Sequence, residues 1–362
     1  MLRALTRLLA AAVVLSATAQ TVPAAEFGDV SVLAQVPVPN GFPEGLAVRG
    51  DRFYVAGPAT FGTSINGKAS RFFEFDLPTG ALLRTIETQG EQVFGAEHAN
   101  SCLAFDGQGQ LYVLNNQLGT LRFSAGALAQ SSYTPPFPND PACLPLGLSG
   151  GKSCSPTVTN MPALPNDLAF DDAGNLYVTD SMQATIWRIP PGGGAPQAWF
   201  RDSRFASPYI GVNGLRLSPD RGQLFITVTT DMLGFGRVYT LPLKEAPTKD
   251  DLKLWHNFAP GDGPDGIAFG ASGKLYVTLA LPGKSGIAIL EPDGTESARI
   301  MNPPLSLISP FDSPANVAFD GQGNLLVTNH AFATGLVIPH QFQVLKVFVD
   351  DVAMPMAEPL VP

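Results

Sequence analysis

Short apolar runs broken by Gly, Pro, Asn and Asp recur along the chain, and no extended window carries helical periodicity. The runs alternate with period two instead. In Leu176-Tyr177-Val178-Thr179, for example, Leu176 and Val178 share one face of a strand while Tyr177 and Thr179 share the other. Turn chemistry separates paired runs at Asp106-Gly107, Asp171-Asp172-Ala173-Gly174 and Asp320-Gly321, residues that reach positive φ at little cost. The expected unit is therefore a strand, a tight turn and a second strand.

That unit repeats six times. The copies are FPEGLAVRGDRFYVAG (42–57), ANSCLAFDGQGQLYVLNN (99–116), LPNDLAFDDAGNLYVTDS (164–181), GVNGLRLSPDRGQLFITVT (211–229), GPDGIAFGASGKLYVTLA (263–280) and SPANVAFDGQGNLLVTNH (313–330). Anchored on Leu46, Leu103, Leu168, Leu215, Ile267 and Val317, they lie 57, 65, 47, 52 and 50 residues apart. Further strand-like runs follow most copies, at 71–75, 185–189, 237–241 and 287–290. Four strands per repeat of about 50 residues predict an all-β, six-bladed β-propeller with antiparallel blades around a central channel. Residues 30–38 and 342–349 are expected to share the sixth blade, so that the ends join and no sheet edge stays open.

The longest separation contains a Pro-rich insertion, 123–163, with little strand pattern. Cys143 and Cys154 within it are expected to form a disulfide, as suits an oxidising compartment. Cys102, beside an anchor, reads as a buried free thiol. The insertion is expected either to lid the face where a substrate enters or to decorate the surface.

The first 25 residues read as an address. Arg3 and Arg7 precede the apolar run 8–15, followed by Ala17-Thr18-Ala19 and Pro23-Ala24-Ala25, the pattern of a secretory signal peptide cleaved after Ala19 or Ala25. The run is far short of the roughly 20 residues that span a bilayer. The propeller thus occupies 26–362, in a secreted or periplasmic protein. Of 22 basic residues two lie in the leader, against none of the 31 acidic ones, which leaves a net charge of −11 on the rest. That balance argues against nucleic acid and would gather cations at an acidic concavity.

Two residues before each anchor stand Glu44, Ser101, Asn166, Asn213, Asp265 and Ala315. One repeat position in a propeller lies at one height and radius, so these residues face one another across the channel. Glu44, Asn166, Asn213 and Asp265 offer two carboxylates and two amide carbonyls, a hard donor set for one divalent cation whose shell water or substrate completes. Calcium is the expected cofactor. Mg2+, Mn2+ and Zn2+ stand as alternatives, although the absence of His and Cys from this column argues against zinc or copper. Asp265 is the candidate general base and His98, just ahead of the second inner strand, the candidate acid–base partner. Asp180, Asp167 and Asn116 rank below them, and His330 is expected at the far end of its hairpin or in a connecting loop. No phosphate-cradling Gly-x-x-x-x-Gly-Lys-Ser/Thr loop is present.

The motifs FPEGLA, LPNDLAF, VNGLRLSPD and GPDGIAF resemble the senescence-marker-protein/gluconolactonase/LRE-like family, whose relatives include calcium-dependent phosphotriesterases, paraoxonases and strictosidine-synthase-like propellers. The resemblance implies one channel metal bound by Glu44, Asn213 and Asp265. It gives Asn166 to metal or substrate and, with Asp167, to substrate contact. It also implies hydrolysis of lactones, with Asp265 helping to activate water. The Arg that often precedes the Asn-Asp pair in sugar lactonases is absent, Ala163-Leu164-Pro165 standing there, which leaves room for a more apolar ester. The expected function is metal-dependent hydrolysis of a small lactone or ester by a monomer. The alternatives are a non-catalytic propeller that binds a ligand or partner protein, and a condensing activity.

Overall fold

The computed structural model describes residues 25–38, 41–143, 154–157, 160–332 and 334–362, so the expected leader lies outside them except for Ala25. Six four-stranded antiparallel sheets form the six blades. Their innermost strands are Leu46–Arg49, Asn100–Phe105, Pro165–Phe170, Val212–Leu217, Pro264–Phe269 and Pro314–Phe319, in blades one to six. Each touches the innermost strands of both neighbouring blades, which closes the ring. Among the described residues the helices are short 3-10 turns, and none is long and apolar enough to cross a membrane.

The period-two alternation becomes packing between blades. Leu176 and Val178 pack with Tyr112 and Leu114 of blade two, whereas Tyr177 packs with Leu215, Leu224 and Ile226 of blade four. Both faces of a blade are therefore buried, one against each neighbour. The hairpin turns are local constructions of an aspartate. Asp106, Asp171 and Asp320 each accept two backbone N–H groups through Oδ1, from residues two and four further on. As expected, Val30–Gln35 pairs with Gln343–Phe348 in blade six, with Val30 opposite Val347 and Gln35 opposite Gln343. The two ends of the chain thus close the last blade.

One expectation needs adjustment. The outer strand of blade two, Gln130–Ser132, falls inside the stretch read as insertion. It is short and polar, and so has no alternation to betray it. The described residues of the remainder lie between that outer strand and the start of blade three, on the face where inner strands begin. Cys143 and Cys154 are disulfide-bonded, and Cys102 is buried and free. Arg201 on blade three bonds the Cys154 carbonyl at 2.9 Å and pairs with Asp140, holding the loop against that blade.

At the opposite end the last residues cross beneath the channel. Met354 N–H bonds Phe269 O, Gly107 N–H bonds Pro359 O, and Val361 is fully buried. This strap covers an apolar cavity of about 310 Å³ at the ends of the inner strands. Access to the donor column is from the other mouth.

Candidate metal centre

In blades two to six the register between first and second strands slips at the same place, for example between Pro165 and Leu168 and between Pro264 and Ile267. The extra residue is a β-bulge lying on the donor column, and a bulge re-aims a side chain out of the sheet's alternation. The Gly that follows the donor in three blades has a steric cause. A Cβ on Gly214 would sit 2.3 Å from Asp265 O, and one on Gly45 would sit 2.6 Å from Ser101 O.

Threonines then fasten the column to the next blade. Thr179 Oγ1 donates to Asn213 O at 2.6 Å, Thr227 to Asp265 O at 2.7 Å, and Thr278 to Ala315 O at 2.7 Å. Thr328 donates to Glu44 O at 2.8 Å, joining blade six to blade one. Thr179, Thr227 and Thr328 also accept the N–H of the residue that follows the column position of their own blade. The donor backbones are fixed by this chain of hydroxyls.

All four expected ligands are buried. Asn213 donates through Nδ2 to Thr229 Oγ1 at 2.9 Å, which turns its Oδ1 the other way. The Oδ1 atoms of Asn166 and Asn213 are buried and have no hydrogen-bond partner. Buried polar atoms of this kind are rare and call for an explanation such as an ion. Burial raises Glu44 to about 8, aided by the charge of Asp167; burial, then the charges of Glu44 and Asp167, push Asp265 well above the usual carboxylate range. Among the described residues no Lys or Arg side chain offsets the charge of either carboxylate. Among the described residues no three His, Cys, Asp or Glu side chains are grouped to ligate a metal, so a cation here depends on the amide oxygens. The set of Glu44, Asp265 and two orphaned amide oxygens fits a hard divalent ion.

Below the column lies a floor that the sequence did not announce. One residue past the anchors stand Ala47, Ala104, Ala169, Ala268 and Ala318, but Arg216 in blade four. Its Nη1 bonds Asp167 Oδ2 at 2.7 Å and its Nη2 lies 3.4 Å from Asn316 Oδ1, a contact between blades four and six. Asn316 Nδ2 in turn bonds Cys102 Sγ at 2.9 Å. Asp167 is thus spent inside the floor, accepting also from the N–H groups of Leu168 and Leu215, rather than presented to a substrate as expected. Five alanines and one arginine at a single repeat position were the signal available in the sequence.

The histidines exchange roles. His98 is fully buried, with Nε2 2.6 Å from Lys68 O and Nδ1 3.2 Å from Ala96 O. Both ring nitrogens face carbonyls, so the acid–base role expected of His98 has no free nitrogen to serve it. His330 lies at the donor column instead, its Nε2 3.6 Å from Glu44 Oε2 and 2.8 Å from Ala59 O. In an antiparallel hairpin the end of the second strand returns to the start of the first, here Asn329 opposite Pro314. That geometry places His330 at the near mouth, not the far one. Burial lowers its pKa to about 4, so the ring is neutral. Asp180, ranked lower, accepts Leu164 N–H and Trp187 Nε1–H and anchors the end of the insertion.

No curated protein matches the chain. Among solved structures, the calcium-binding protein regucalcin from Agrobacterium tumefaciens superposes with a TM-score of 0.60 at 16% identity, covering 91% of this chain and 96% of that one. A luciferin-regenerating enzyme gives 0.59 at 13% identity, over 92% and 99%. Virginiamycin B lyase from Staphylococcus aureus gives 0.51 at 15%, over 84% and 82%. At such identities these likenesses speak for the propeller alone. The family described as SMP-30/gluconolactonase/LRE-like region matches residues 59–331, most of the propeller and three of the four donors. The chain belongs to the SMP-30/gluconolactonase/LRE-like family.

Proposed function

We propose that this protein is an exported, calcium-dependent hydrolase of a lactone or related ester. The observation that carries the reading is the pair of orphaned oxygens, Asn166 Oδ1 and Asn213 Oδ1, in the same column as two uncompensated carboxylates. Calcium bound by these four side chains supplies a Lewis acid for a carbonyl oxygen. The remaining work falls to the chain. Asp265 accepts a proton from the attacking water and returns it to the leaving alkoxide oxygen. The acyl C–O bond breaks and the product is the hydroxy acid, or the acid and alcohol. Neutral His330 donates Nε2–H to Ala59 O, which leaves Nδ1 as the ring's acceptor. The Arg216–Asp167 floor closes the channel below the column, and the alanine ring leaves Arg216 the room to do so.

Export is supported by the leader pattern and by the Cys143–Cys154 disulfide, a bond that persists in oxidising compartments. The calcium assignment draws on the hard oxygen set and on regucalcin, a structural neighbour that is a calcium-binding protein. The test is calcium titration by calorimetry on mature protein beside Glu44→Gln and Asp265→Asn, followed by a panel of lactones and esters. Binding and hydrolysis both lost in the two variants are expected. Calcium binding that survives both substitutions refutes the site.

A further inference from the structure

The face with the donor column carries an exposed apolar surface that the hydrolase reading leaves without a role. Between His330 and His340 the chain has no charged residue, and it exposes Phe332, Leu336 and Val337, the last two more than 80% accessible. The loop 58–70 exposes Phe61 and Ile65, and the connection 88–99 exposes Phe94. These three segments are joined. His330 Nε2 bonds Ala59 O at 2.8 Å. Glu97 accepts from Thr63 N and Oγ1 at 2.9 Å and from Ser64 Oγ at 2.6 Å. Phe94 lies directly on Gly67, where a Cβ would come within 2.3 Å of its ring.

The surface also reaches the candidate site. The ring of Phe332 stacks on His330, with centroids 5.8 Å apart and planes 14° apart. Phe42 contacts the same imidazole at 5.6 Å. His330 in turn stands 3.6 Å from Glu44. A path of contacts therefore leads from a donor carboxylate, through an imidazole, to exposed hydrocarbon. Contiguous exposed apolar residues beside a cleft mark binding surface rather than idle exterior.

Resting on the hydrolase reading, we infer that loops 58–70 and 88–99 and the described residues of 330–342 form a shelf that seats the alkyl or aryl substituent of a hydrophobic lactone or ester, with Phe332 the specificity-determining residue. The observations favour a substrate group over a lipid surface because the shelf starts at the imidazole beside Glu44. A shelf of hydrocarbon offers no hydrogen bonds, so a polyhydroxylated ring gains nothing from it.

The test uses non-hydrolysable γ-lactams bearing alkyl chains of increasing length, titrated by calorimetry into the whole mature protein in calcium buffer. A half-covering shelf gives an affinity gain of about twofold per added methylene. Phe332→Ala and Leu336→Ser are expected to flatten that trend while the affinity for the unsubstituted lactam holds. Both residues are exposed, so unchanged melting midpoints certify folding. A flat trend in the wild type, or one that both variants retain, overturns the shelf. Sedimentation with phosphatidylcholine vesicles that both variants abolish, without a chain-length trend, also overturns it and gives the surface to lipid. The two readings fail separately. Chain-length-dependent binding with no hydrolysis of any lactone or ester keeps the shelf and removes the hydrolase. Hydrolysis indifferent to chain length removes the shelf alone.

Discussion

Replacing Glu44 by Gln in chelator-treated protein is expected to stabilise the fold, by an amount that depends on pH. Glu44 is buried beside Asp265 and Asp167, and its nearest basic group, His330, is held neutral. The carboxyl rises from 4.5 to about 8 in the fold. The native state therefore binds more protons than the unfolded chain across that interval, and stability falls as pH climbs through it. At 1.36 kcal/mol per pH unit the loss is about 1 kcal/mol at pH 5, about 3 at pH 6.5 and between about 4 and 5 at pH 8.5. A Gln amide stays neutral throughout and removes the penalty. Urea unfolding in EDTA at pH 5.0 and 8.5 reads the difference directly. The two proteins are expected to agree within about 1 kcal/mol at the lower pH and to diverge by about 4 kcal/mol at the higher. Calcium is expected to close the gap by stabilising the wild type alone, since a ligand that binds only the native state adds its binding free energy to stability. Parallel pH profiles for wild type and variant would refute both the buried-carboxylate argument and the cation site built on it.

Three other outcomes follow from the same geometry. Arg216→Met strands the buried Asp167 carboxylate and is expected to cost about 3 to 5 kcal/mol in denaturant unfolding, most of which Asp167→Asn in the same chain recovers; simple additivity would show the pair to be uncoupled. Thr227→Val keeps the shape but strands Gly214 N–H and Asp265 O, so it is expected to cost about 2 kcal/mol by chemical denaturation, whereas Thr85→Val on an exposed outer strand costs under about 0.5. Gly214→Ala drives a methyl to 2.3 Å from Asp265 O, so a stability loss of about 3 kcal/mol is expected alongside weaker calcium binding by calorimetry. An unchanged calcium affinity in a folded Gly214→Ala protein would mean that the position of Asp265 does not govern the site.

Much of this architecture was legible because its determinants are close in sequence. An Asp that bonds the N–H groups two and four residues on makes its turn without help from the rest of the chain, so the hairpins at Asp106, Asp171 and Asp320 announce themselves. Period-two alternation reports burial on two faces, and six anchored copies require six such hairpins. The donor column was legible for a related reason, since a repeat turns sequence phase into a common height in the channel. The short outer strand Gln130–Ser132 escaped because it is polar and makes no core.

What escaped otherwise depends on closing the ring. Arg216 meets Asp167 from the preceding blade and approaches Asn316, a hundred residues away, only because blades three, four and six converge on one axis. The same closure consumes the Asp167 carboxylate. His98 and His330 look alike as single residues in a repeat. Their roles diverge because Lys68 O lies against one ring and Glu44, from the other end of the chain, lies beside the other. Thr179, read as one face of a strand, and its counterparts Thr227, Thr278 and Thr328 became fasteners once each met the carbonyl of a neighbouring blade. The sequence by itself determined most of the strands, their turns, the number of blades and which side chains share one position around the channel, all properties of local patterning and its repetition. Only the tertiary structure decided which charges are neutralised, which polar atoms are left without partners and which histidine stands at the site, because each of those depends on residues that meet solely when the propeller closes.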